Sequence, residues 1–323
     1  MKKKERILDK RGNMKILTVL LISMLFYFPG AAEKLEIQVN EPSIQDQWAH
    51  SPHAGSMNTP EEQIKMNKTG CAHCHTAQGY WEVILEGKES TAPYENPTGL
   101  DCLACHDFTP DLTCKGCHGM KIDGKPTETP LRAGKVENAC TGCHDILVQN
   151  DTEDFSSCPQ GSLLKGKGGA EFNGKTYKTG GHSKVEKNCA GCHMAASPGG
   201  KDALELGGHT FRVITKGKTP RVFNPNGCTP CHDNMTYEFV KNSQAKYKKL
   251  METLRDLLPQ KPKGTAKSPD QSPKFPKDPS LNKIEAMAAY NYYQVLKDGT
   301  YGVHNPVYIK KLLEDSIDAL GKR

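Results

Sequence analysis

The run Cys-x-x-Cys-His occurs six times in this chain of 323 residues. The copies are Cys71-Ala-His-Cys74-His75, Cys102-Leu-Ala-Cys105-His106, Cys114-Lys-Gly-Cys117-His118, Cys140-Thr-Gly-Cys143-His144, Cys189-Ala-Gly-Cys192-His193 and Cys228-Thr-Pro-Cys231-His232. Two thiols three residues apart lie on the same side of one helical turn, and the next residue projects its imidazole beside them. Such a turn attaches c-type haem: the thiols form thioethers with the two porphyrin vinyl groups, and the histidine is the proximal iron ligand. Zinc sites need cysteine pairs to combine two by two and have no use for a histidine after every second cysteine. A thioredoxin-type dithiol lacks that histidine and occurs once. Six covalently attached haem c groups are therefore expected. They use twelve of the thirteen cysteines and leave Cys158, whose default role is none, with a free thiol or an intermolecular disulfide as alternatives.

The N-terminus has the form of an export signal. Met1 to Lys15 carries seven basic and two acidic residues, and Ile16 to Phe28 is an apolar run of thirteen residues, too short to span a bilayer. Gly30-Ala31-Ala32 offers small residues for cleavage, which is expected after Ala32; Met14 is an alternative start. No other segment is apolar enough to cross a membrane. An exported chain, periplasmic or at the cell surface, fits the cysteine count, because haem attachment takes place outside the cytoplasm. Losing the signal lowers the formal charge from +6 to about +1, so the basic balance gives no nucleic-acid footprint.

About 48 residues per haem remain in the mature region, with apolar residues at 36% and a mean hydropathy of −0.63. Side chains alone make a thin core at that composition, so the porphyrin faces must provide much of the buried apolar surface. The expected fold class is mostly α and irregular: a multihaem cytochrome c in which short helices and loops wrap a haem stack, with helices at the C-terminus. The domain reading is a signal peptide over 1–32, a hexahaem region over 33–258, a Pro/Lys-rich connector over 259–280 and C-terminal helices over 281–323. Tyr237, Val240, Tyr247, Leu250, Met251, Leu254 and Leu258 recur at three- and four-residue spacing, predicting an amphipathic helix that Pro259 stops. Ser280 is the expected cap of a second helix, from about Leu281 to Lys297, which Gly299 ends. A third follows Pro306 with Ile309, Leu312, Leu313, Ile317 and Leu320 on one face. The spacing of motifs is uneven. The second and third are close enough to demand neighbouring haems, and the longest insertion, between Cys140 and Cys189, holds the Gly/Lys-rich stretch Gly161 to Gly181.

Twelve histidines are present, and six of them end the motifs. The other six, His50, His53, His73, His182, His209 and His304, match the number of haems and point to bis-histidine ligation. Two imidazoles saturate the iron and suit one-electron transfer. His182, His209 and His304 each follow Gly or Gly-Val, which gives the backbone room. His50 and His53 can serve two adjacent haems. His73, inside the first motif, either reaches an adjacent haem or faces solvent.

Three segments carry a family resemblance: Gln47-Trp48-Ala49-His50-Ser51-Pro52-His53-Ala54, Gly208-His209-Thr210-Phe211, and Asp298-Gly-Thr-Tyr301-Gly-Val-His304-Asn305-Pro306-Val-Tyr308. They resemble the multihaem c-type cytochromes that include cytochrome c nitrite reductase, the octahaem hydroxylamine oxidoreductases and their electron-transfer relatives. The resemblance implies distal-ligand roles for His50 or His53, His209 and His304. Nitrite reductases of this group carry one motif ending in Lys, which leaves a substrate position open, whereas all six motifs here end in His. A similar group is the extracellular cytochromes that polymerise into conducting filaments, where the next subunit can donate a distal histidine; the His50/His53 pair suits that role.

The expected function is electron transfer through bis-histidine haems in anaerobic respiration or extracellular electron transfer, with no catalytic residue. The alternatives are a reductase of nitrite- or hydroxylamine-type substrates at one open haem, and a subunit of a cytochrome filament. Donor and acceptor cytochromes or a quinol-linked complex are the expected partners, alongside a homo-oligomer or filament.

Overall fold

The computed structural model describes residues 42–106, 121–122, 125–126, 136–145, 158–259 and 281–321. All lie within one unit, Asn40–Arg323. The signal segment, the third motif and residues 260–280 of the connector fall outside the described residues.

Short helices run through the motif region. They are α1 (Ile44–Ala49), α2 (Pro60–Met66), α3 (Ala72–His75), α4 (Ala77–Gly79, continuing as a π turn over Tyr80–Leu85), α5 (Cys102–Cys105), α6 (Val136–His144), α7 (Gln160–Leu164) and α8 (Asn188–His193). Single turns of 3-10 helix join them, and a two-residue antiparallel ladder pairs Lys121–Ile122 with Lys125–Pro126. Capping boxes start α1 (Ser43 with Asp46) and α2 (Thr59 with Glu62), each satisfying backbone N–H groups that a helix end leaves open. Each described motif closes as one helical turn. The peptide N–H of His75 donates to the carbonyl of Cys71 at 3.2 Å, that of His106 to Cys102 at 2.8 Å, and that of His232 to Cys228 at 2.9 Å.

The three long helices follow the periodicity read from the sequence: α9 (Tyr237–Leu257), α10 (Lys283–Asp298) and α11 (Pro306–Gly321). The cap of α10 is Asn282, not Ser280. Its Oδ1 accepts from the N–H groups of Ile284 and Glu285, while Glu285 Oε2 accepts from the Asn282 N–H. That reciprocal pair needs an acid three residues on, which Ser280 lacks. Gly299 ends α10 with φ +73°.

The larger apolar cluster among the described residues sits in this bundle. It joins Tyr247, Met251 and Leu254 of α9, Tyr292 and Val295 of α10, and Tyr308, Ile309, Leu312 and Leu313 of α11. The motif region has a smaller one, Tyr80, Leu100, Ala104 and Cys143. The long insertion is the bundle's partner. Leu163 enters its cluster; Asn291 exchanges hydrogen bonds with Ala170, and Tyr308 Oη with Gly169 and Glu171. No helix among the described residues is long and apolar enough to cross a membrane.

Candidate haem-binding sites

Packing of the motif turns gives the sites an order. Helix α3 of the first motif packs on α6 of the fourth, α6 on α8 of the fifth, and α8 on Pro225–Gly227, the turn that leads into the sixth. Cys74 packs against Cys143, and Cys140 and Cys189 lie close enough to perturb one another. Cys192 Sγ lies 3.6 Å from the carbonyl of Gly227, next to Cys228. The second motif adjoins this row, Ala104 and Cys105 packing with Cys74 and Cys143. Tyr80 fills the space between first and fourth motifs, its hydroxyl donating to the carbonyl of Ala139 at 3.1 Å.

Four of the six other histidines face a motif histidine. Ring centroids are 6.3 Å apart for His53 and His144, 6.2 Å for His106 and His209, 5.9 Å for His182 and His232, and 6.3 Å for His193 and His304. An axial imidazole nitrogen stands about 2 Å from its metal with the ring centre about 1 Å further back, so two rings across one iron have centroids about 6 Å apart. The spacing fits haem. So does the donor set: the porphyrin provides four equatorial nitrogens and asks the chain for two ligands only.

Hydrogen bonds fix these rings. Nδ1 of His182 is 2.6 Å from the carbonyl of Val303, and Nδ1 of His193 is 3.0 Å from that of Phe211. Nδ1 of His304 meets Oδ1 of Asp298. With Nδ1–H donated, each ring turns its Nε2 lone pair outward, as a metal ligand must. Burial lowers His53 to about 4, with His144, His193 and His75 adding to the effect. Burial likewise lowers His209 to about 4, helped by His106. Both rings are thus held neutral, the form that binds metal. Burial also lowers His193 and pulls His304 down, but the Asp298 carboxylate outweighs it and the net shift of His304 is upward.

The three segments that carry the family resemblance supply these contacts. The first docks on the second where Gln47 Oε1 accepts from the His209 N–H at 3.0 Å, and Arg212, the residue after the second, donates through Nη1 to the His50 carbonyl at 2.7 Å; Trp48 Nε1 donates to the Leu100 carbonyl at 2.9 Å. A Cβ on Gly208, at φ +50°, would stand 2.0 Å from Gln47 Oε1, so the approach needs glycine there. Phe211 serves three sites. Its ring packs edge-on against His53 at 4.5 Å and His209 at 5.9 Å, and its carbonyl accepts from His193. It does so in the left-handed conformation, φ 57°, uncommon for a bulky residue and typical of functional strain. In the third segment, Val303 and His304 serve the sixth and fifth motifs side by side. Asn305 holds them to the insertion, bonding Leu164, Thr179, Gly180 and Tyr308.

The structure does not bring His50 or His73 opposite a described motif histidine. His50 is exposed, with Nδ1 2.8 Å from the Asp46 carbonyl. His73 lies beside the thiol of Cys74 in its own motif, which shifts its pKa upward against the effect of burial. Cys158 is half-buried near Cys74, and burial, then Cys74, pushes its thiol up. Asp298, Gln47, Phe211 and the Val303 carbonyl are supporting residues that sequence reasoning did not single out. Asp298 had a signal: an acid one residue before a glycine turn and six before a candidate ligand histidine.

No family model and no curated protein matches the chain. Among solved structures it is similar to the outer cell wall cytochrome OcwA, with a TM-score of 0.53 and 20% identity over 85% of this chain and 49% of that one. The chain thus spans about half the length of that cytochrome. The mostly helical and irregular fold is like that of this cytochrome over the part they share.

Proposed function

We propose that the chain is an exported hexahaem c-type cytochrome that passes electrons along a row of bis-histidine haems. The observation that carries this is the set of four imidazole pairs, each joining a motif histidine to one of the other histidines at the span of an axial pair. Haem bound at these places supplies one-electron exchange at iron. The chain's own residues close both faces of the four described metal positions, which favours a carrier over a reductase there. They also hold the rings still, through Val303, Phe211 and Asp298, so that little rearranges when charge changes.

The packing order supports a relay from the first motif through the fourth and fifth to the sixth, with the second beside the first and fourth. Cys231 and His232 of the sixth motif are exposed, which suits exchange with a donor or acceptor protein there. His53 stands opposite His144 of the same chain, so its role is internal. His50 and His73 are left for the haems of the first and third motifs; His73 lies on the proximal side of its own haem, so it suits the third and His50, with Nδ1 engaged by the Asp46 carbonyl, the first. The meeting of the three resemblance segments around the pairs supports kinship with the nitrite reductase and hydroxylamine oxidoreductase group. The outer cell wall neighbour favours a cell-surface location and extracellular electron transfer.

The test is spectroscopic. The oxidised protein is expected to be entirely low-spin, carrying six haems per chain by pyridine haemochrome, and carbon monoxide is expected to bind none of the reduced haems. A high-spin fraction or carbon monoxide binding would contradict a closed relay.

A further inference from the structure

The supports of the described ring nitrogens are not all alike. Nδ1 of His182, His193 and His50 meets a backbone carbonyl, a neutral acceptor. Nδ1 of His304 meets a carboxylate, Asp298, whose side chain is fully buried. Asp298 is placed with care. Its Oδ2 accepts from both the hydroxyl and the N–H of Thr300, and the same hydroxyl accepts from the His304 N–H at 3.3 Å. It also ends α10, where the helix dipole disfavours an acid. A residue kept against that penalty, buried and aimed at a ligand ring, has a purpose beyond capping.

We propose that Asp298 is a positioning residue that sets the potential of the fifth-motif haem, holding it below the value that a neutral acceptor would give. The inference rests on the ligation of that haem by His193 and His304. The physical reason is direct. A carboxylate that accepts the Nδ1 proton gives the imidazole imidazolate character, which strengthens its donation to iron. Its negative charge, little screened when buried, favours the more positive ferric state. Reduction here is a one-electron change from ferric to ferrous iron, the electron coming from a neighbouring haem, with no proton moved. Because α8 lies between α6 and the sixth-motif turn, Asp298 sets how readily electrons enter the haem in the middle of the row.

The test is a spectroelectrochemical titration of the haem-loaded chain with Asp298→Asn, Asp298→Glu and Thr300→Val. Asn keeps an acceptor oxygen and removes the charge. One of the component midpoints is expected to rise by about 59 mV, a roughly tenfold easier reduction, while the others stay put and the spectrum stays low-spin. Glu keeps the charge and is expected to return that midpoint towards the original. Thr300→Val removes a donor to Asp298, concentrates charge on the carboxylate and is expected to lower the same midpoint. Should Asp298→Asn load haem poorly, Thr300→Val carries the test alone, and an unchanged or raised midpoint there overturns the proposal. A low-spin Asn variant with every midpoint unchanged also overturns it. A high-spin fifth-motif haem in the unaltered protein would instead overturn the ligand pair itself, so the two failures are distinguishable.

Discussion

Replacing Gly302 by alanine separates the space that a ligand loop needs from the conformation that it needs. Gly302 precedes Val303 and His304 and has φ +93°; a Cβ there would stand 2.6 Å from the Tyr247 ring. Gly299, three residues earlier, has φ +73°, but its nearest neighbour, the Lys297 carbonyl, would lie 4.0 Å from the new atom. Both alanines bear the strain of a positive φ, about 1 kcal/mol each. Only Gly302→Ala must also displace Tyr247, a buried ring whose hydroxyl donates to the Pro306 carbonyl at 3.0 Å. Losing that bond and the packing around it adds about 2 kcal/mol. In urea, with an m-value of about 2 kcal/mol/M, the two midpoints should therefore differ by about 1 M, with equal slopes. Gly302→Ala should also raise a high-spin signal, since Val303 and His304 move with it, whereas Gly299→Ala should not. Equal midpoints for the two variants would refute the claim that Tyr247 sets the course of the loop.

Three further outcomes are expected. Asn305→Ala strips partners from Gly180, Tyr308, Leu164 and Thr179 together, and should destabilise the chain by about 3 kcal/mol in the same urea titration, releasing His182 as well as His304. His182→Gly should convert one haem to a high-spin form that added imidazole returns to low spin; rescue of no haem would remove His182 from the ligand set. Burial pushes the Asp315 carboxyl up, but Lys311 at 2.8 Å, Lys175 at 3.2 Å and Tyr177 more than offset it, so its folded pKa lies below the unfolded value. Its contribution is then complete above the unfolded pKa of about 4 and fades as pH falls through the folded one. An Asp315→Asn chain should lose less stability than the original when acidified below about pH 4, which acid melts would register.

How much of this was legible in the sequence follows from the range of each interaction. The motif turns were fully readable because thioether attachment is encoded within five residues, and α9 and α11 because an apolar stripe recurs every three or four residues. The start of α10 was misplaced by reading Ser280 as the cap; the reciprocal bond to Glu285 selects Asn282. The histidine pairings were not legible. His53 with His144, His106 with His209 and His193 with His304 join residues about a hundred apart, and nothing local to either ring specifies the other. The Gly/Lys-rich insertion looked like a loop by composition. Its backbone groups nevertheless bind Asn291, Asn305 and Tyr308, a role carried by main-chain atoms that composition does not report.

A crystal or cryo-electron microscopy structure of the haem-loaded chain, read at the four described pairs, tests the central claim most directly. An iron is expected between His53 and His144, His106 and His209, His182 and His232, and His193 and His304, each with a nitrogen on either side at about 2 Å. An iron at any of these motif histidines whose far side is open, or is taken by a different residue, would contradict the relay.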